Sequence, residues 1–137
     1  MRYRTILSAI VILMGCSNSP VTRNEAPAVS PAIVDFLLAS AAADFHEHRP
    51  PDPARFRDVR VGHIITTEGE PRYRLCGSFL PKQAGGNGEW TPFVTIQTSG
   101  YEQYIGRQAA GFCQDASILW DDVGDLSDSL QNRFNSL

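Results

Sequence analysis

The sequence predicts an α+β fold: an N-terminal helix packed on a three- or four-stranded antiparallel sheet, with a short C-terminal helix closing the domain. Three observations predict it. Apolar residues recur at helical spacing from Val34 to Phe45, β-branched and aromatic runs alternate with polar residues between Phe56 and Ile105, and Leu126, Leu130 and Phe134 return at intervals of four.

Ser30 followed by Pro31 marks the start of the first helix, because a serine hydroxyl caps free backbone N–H groups and proline at the first helical position loses no hydrogen bond. Val34, Leu37, Leu38, Ala41 and Phe45 then share one face. Asp35 lies toward the positive end of the helix, His46, His48 and Arg49 lie at its negative end, and Pro50 with Pro51 stops it. Val59, Val61, Ile64 and Ile65 predict a strand over Phe56 to Ile65 with an irregularity near Gly62. A turn around Glu68 to Pro71 follows. Tyr73 to Leu80 and Trp90 to Thr98 read as a hairpin whose loop, Ala84 to Gly88, holds the Gly and Asn residues that accept positive φ. Tyr101 to Ile105 is a short fourth strand, and Asp125 to Leu137 forms the terminal helix.

A chain of 137 residues, 42% of them hydrophobic, supports one modest core. Residues 31–137 are therefore expected to form a single globular domain. Before them, Arg2 and Arg4 precede an apolar run from Ile6 to Met14. That is the layout of a secretory signal peptide, and the run is about half of the roughly 20 residues that a membrane-spanning helix needs. Ser17 to Ser30 is polar, carries Pro20 and Pro27 and lacks periodicity, so it reads as a tether. At roughly 3.1 Å per residue its extended reach is on the order of 40 Å.

Leu13, Met14, Gly15 and Cys16 resemble the lipobox of bacterial lipoproteins. The resemblance implies that residues 1–15 are a signal peptide removed on export, that Cys16 is the site of lipidation, and that 16–30 form a lipidated cysteine and flexible tether. Ser17, where an aspartate would retain such proteins in the inner membrane, resembles the sorting pattern for the outer membrane and implies a periplasm-facing address. Loss of Arg2 and Arg4 leaves ten basic residues against fifteen acidic ones, a balance of −5. So acidic a chain is a poor partner for nucleic acid, whose phosphates demand clustered positive charge.

With Cys16 lipidated, Cys76 and Cys113 are the remaining thiols of an exported chain, and a disulfide between them is expected. They stand 37 positions apart, a loop whose closure contributes roughly 3 to 4 kcal/mol by the chain-entropy estimate. A nucleophilic or redox role would require a partnering base or a Cys-x-x-Cys spacing, and neither is present.

The middle of the chain resembles a group of short exported bacterial proteins without an assigned activity. Pro51, Asp52, Ala54, Phe56, Arg57 and Val59 match that group's lead-in to its first strand, and Cys76, Gly77, Lys82, Gly86 and Phe93 match its second part. Pro53 and Leu80 depart from it, standing where the group has serine and asparagine. The resemblance implies a fold and an envelope address, and no activity.

Several clusters have chemical potential. Asp44, His46, Glu47 and His48 carry metal-binding groups, but His46 and His48 point to different faces of a helix, and compensation of helix-end charge is the better account. Asp121, Asp122, Asp125 and Asp128 lack the spacing of a calcium loop, and suit the start of a helix. Gly85, Gly86 and Gly88 run into Trp90 and not into a helix, which makes them a hairpin loop and not a phosphate cradle. No cofactor or metal site is therefore assigned. Arg55, Arg57, Arg60, Arg72 and Arg74 would project from one sheet face if the first two strands are neighbours; a solvated face paired to local Asp and Glu is the plainer reading, and these five are the candidate partner-binding residues beside it. These readings favour a lipid-anchored binding or assembly module of the cell envelope over an enzyme, with an envelope hydrolase or a metal-binding protein as the second reading.

Overall fold

The computed structural model describes Gly15 and residues 28–82 and 88–137. The signal segment, Cys16, most of the tether and most of the Ala84–Gly88 loop lie outside the described residues.

The first helix, α1 (Pro31–Glu47), begins as the sequence predicts: the Ser30 hydroxyl accepts a hydrogen bond from the Ile33 N–H at 3.3 Å, with Pro31 in the first turn. Leu37, Leu38, Ala41, Ala42 and Phe45 form its buried face. Then follow β1 (Pro53–Ile65), β2 (Pro71–Pro81), β3 (Thr91–Gln97), β4 (Tyr101–Ile105), a short helix α2 (Arg107–Cys113), a two-residue strand β5 (Leu119–Trp120) and the closing helix α3 (Ser127–Asn135). The sheet is antiparallel throughout, in the order β4-β3-β2-β1-β5. The α+β class and the two terminal helices are as expected. The fifth strand and α2 are additions that the sequence did not announce.

Phe56, Val59 and Val61 of β1, Leu75 and Phe79 of β2 and Phe93 of β3 pack beneath α1 and α3 in one continuous core. Phe45 of α1 stands at its centre, edge-on to Phe56, Phe79 and Phe93 at centroid distances of 5.3, 5.0 and 5.3 Å. This geometry sets the positive ring edges against the negative faces of their neighbours. Leu130 and Phe134 complete the layer from α3, and Arg133 of α3 forms an ion pair with Asp35 of α1. On the opposite sheet face, Cys76, Val94 and Ile96 form a smaller cluster with Ala109 of α2, and Phe112 and Tyr104 pack around it.

The irregularity in β1 lies at Asp58 and not at Gly62. Arg57 pairs with Ser78 and Arg60 with Cys76, so Asp58 and Val59 together face the single residue Gly77. Asp58 takes a left-handed conformation, φ 54°, which aspartate tolerates better than most residues. Gly77 makes the bulge feasible: a Cβ there would stand 2.8 Å from both Val59 Cγ2 and Phe93 Cε1. Gly62 has a different role. Its missing side chain lets the β5 segment lie on the sheet, since a Cβ would approach Ile118 Cγ2 to 2.7 Å and Trp120 Cε3 to 2.8 Å.

Candidate functional site

The bulge decides where the arginines point. In an antiparallel pair, residues directly opposite share a face, and the side-chain period is two. Arg55, Arg57, Arg60, Arg72 and Arg74 pair with Leu80, Ser78, Cys76, Ile64 and Gly62 respectively. All five therefore leave the face opposite α1 and α3, and Arg60 joins Arg55 and Arg57 only because the bulge shifts the register by one.

Their environments differ. Arg57 lies over the Trp90 ring, 4.2 Å from its centroid, and within 3.5 Å of the Asp58 carboxylate. Arg60 lies over the Trp120 ring at 3.6 Å. Arg55 and Arg72 are exposed. Arg74 is only 3% exposed and belongs to the structure beneath α2: its Nη1 donates to the Phe112 carbonyl at 2.9 Å, at the negative end of that helix. Burial lowers the pKa of its guanidinium, and nearby Asp115 opposes that shift. Of the five expected partner-binding residues, Arg74 is thus turned inward to hold α2.

Beside these arginines runs an open groove of about 840 Å³. Gly77, Ser78 and the disulfide form its floor. Pro92 and Ala110 lie on one side, and Trp120 with the 121–125 segment forms the other. Cys76 and Cys113 are joined as expected, with a Cα separation of 5.9 Å, and the bond ties α2 to β2. Trp120 is 38% exposed, an unusual degree of exposure for so large an apolar ring. Four carboxylates line the groove, from Asp58, Asp121, Asp122 and Asp125, against the single guanidinium of Arg60.

Two of these aspartates are held in place. Asp121 Oδ2 accepts from the Nδ1 of His63 at 3.0 Å, with both side chains largely buried at the sheet edge. Asp125 accepts from the Ser127 hydroxyl and from the Ser127 N–H at 2.8 Å, and these bonds hold its pKa below the ordinary value. The same hydroxyl accepts from the Val59 N–H at 3.2 Å, so a relay of hydrogen bonds links the bulge to the start of α3 and to the groove wall. Asp58 projects into solvent with its side chain 77% exposed, and Asp122 is exposed as well.

The other clusters serve local structure. His48 Nδ1 bonds to the Asp44 backbone carbonyl at 3.2 Å and lies 3.3 Å from the Asp44 carboxylate, which accepts from the Tyr101 hydroxyl at 3.2 Å, while His46 and Glu47 are exposed. Asp128 sits in the first turn of α3. Among the described residues, no three His, Cys, Asp or Glu side chains converge to hold a metal ion. No hydroxyl or thiol among them bonds to His63, so its pairing with Asp121 is that of a clasp at the sheet edge and lacks a nucleophile.

Asp58 and the His63–Asp121 pair escaped the sequence analysis, and Trp120, whose aromatic bulk suggests a core or cross-strand position, stands exposed. A signal for the first was present. The arginines change from odd to even positions between Arg57 and Arg60, and the core residues change from even to odd between Phe56 and Val59. Both changes mark one extra residue in the strand. No family model matches the chain, and no curated protein or solved structure does either.

Proposed function

We propose that this chain is a bacterial cell-envelope lipoprotein, cleaved before Cys16 and anchored by acyl chains on that residue, and that it acts as a binding or assembly module. Its address is the outer membrane, facing the periplasm. The groove beside Trp120 carries the binding reading: it is concave, bordered by an exposed aromatic ring and charged side chains, and set on the sheet face that α1 and α3 leave uncovered. The disulfide supports export, because such bonds persist in oxidising compartments. Among the described residues no helix is long and apolar enough to cross a membrane.

Two experiments test this reading. Mass spectrometry of the protein from its own cells should find an acylated Cys16 as the new N-terminus; an intact leader or an unmodified sulfur refutes the anchor. A photo-crosslinking residue placed at Ser78 or Asp122 should capture one reproducible envelope partner in cells, while the same residue at Glu47 on α1 should not. Equal capture from both faces would refute the groove as the working surface.

A further inference from the structure

We infer that the groove accepts a basic, extended peptide segment of a protein partner, an assignment that rests on the groove being the binding surface. Charge complementarity is the main argument. Asp58, Asp121, Asp122 and Asp125 face the groove, and the one guanidinium among its lining residues, that of Arg60, is stacked on Trp120. A concave, partly apolar wall focuses the field of such charges, and the balance of −5 after export adds long-range attraction for a cationic partner.

The shape and the ring narrow the choice. At about 840 Å³ the groove has room for several side chains, and its lining includes the consecutive residues Cys76, Gly77 and Ser78 of β2. Trp120 carries the Arg60 guanidinium on its ring, and the part of it that stays exposed offers an apolar surface for the methylene stem of a lysine or arginine. The carboxylates do not converge on one point, so the charge they attract is spread along a chain and not concentrated in a metal ion. Anionic lipid head groups would be repelled by the same wall, which separates this surface from the membrane at the other end of the tether.

The test is calorimetric titration of the full-length acylated protein in neutral detergent with three short peptides, alternating alanine with lysine, glutamine or glutamate. The lysine peptide should bind, and weaken about tenfold as salt rises from roughly 50 to 500 mM. Asp58→Asn and Asp122→Asn should each weaken it about threefold. Asparagine accepts the left-handed backbone of position 58, so that variant keeps the bulge. Glu47→Gln, which removes the same charge from α1, should leave binding unchanged. Equal binding of the lysine and glutamine peptides, no binding of the lysine peptide, or indifference to both aspartate changes overturns the inference. If the peptide fails while the crosslinks from Ser78 and Asp122 still capture a partner, only the ligand class is wrong. If both fail, the groove reading falls with it.

Discussion

Substituting Gly77 by alanine tests the bulge on which the arginine face depends. The new Cβ would stand 2.8 Å from Phe93 Cε1 and from Val59 Cγ2, each 0.6 Å inside the 3.4 Å at which ordinary contact begins. Phe93 and Val59 are both fully buried and enclosed by α1 and α3, so neither can swing into solvent. Overpacking of this kind costs about 1 to 3 kcal/mol, and relief from glycine's backbone entropy returns about 0.5 to 1. The net loss is up to about 2.5 kcal/mol and centred a little above 1, a drop of roughly 1 M in urea midpoint at an unchanged slope. Gly111→Ala supplies the contrast, because position 111 lies within α2 with nothing inside 4 Å of the added methyl. It should stabilise the protein by about 0.5 to 1 kcal/mol. Equilibrium unfolding followed by circular dichroism measures both. A Gly77→Ala midpoint at or above that of the natural protein would refute the argument that this glycine makes room for the bulge.

Removing the staple with Cys76→Ala and Cys113→Ala together should cost about 4 kcal/mol by chain entropy for a separation of 37, seen as a lowered melting temperature under non-reducing conditions. Phe45→Ala should cost about 3 to 5 kcal/mol in urea unfolding, because three edge-on rings lose their common partner. Asp125→Asn should destabilise the protein at neutral pH, with a difference that depends on acidity. Hydrogen bonds from Ser127 depress the folded-state pKa of Asp125, so its contribution is complete above the unfolded value near 3.8 and fades as pH falls through the lower folded value. Unfolding curves for the two proteins should therefore converge as pH falls below the ordinary aspartate value.

The elements that were legible in the sequence carry their own local signals. Ser30 and Pro31 start α1 by capping and by fixed φ, and the spacing from Leu37 to Phe45 defines the face it buries. The hairpin strands follow from alternation, and the disulfide from the pairing expected between Cys76 and Cys113. What was missed depends on distant contacts. The seven-residue α2 contains Gly111 and has no side-chain cap at its start; its place is secured by Cys113 bonded to Cys76, by Ala109 buried on the sheet, and by Arg74 beneath its end. Arg72 and Arg74 look alike in sequence, and only the covering helix separates the exposed one from the buried one. The groove draws its two sides from separate segments, Pro92 of β3 with Ala110 of α2 and the run from Trp120 to Asp125, the second held where Gly62 lets β5 lie against the sheet.

The two margins of the sheet differ in their capacity to recruit another copy. On one side β5 contributes only two residues, and the backbone of β1 behind it is already engaged: Asp121 donates to Val61, Leu126 donates to Val59, and the Val59 N–H is taken by Ser127. On the other side the five-residue β4 is the edge of the sheet, and alternate residues along it turn their backbone N–H and C=O outward. A filament that grows by strand addition needs two receptive borders on every subunit, and this protein offers one. Copies that meet along this border can join in pairs, and growth ends there.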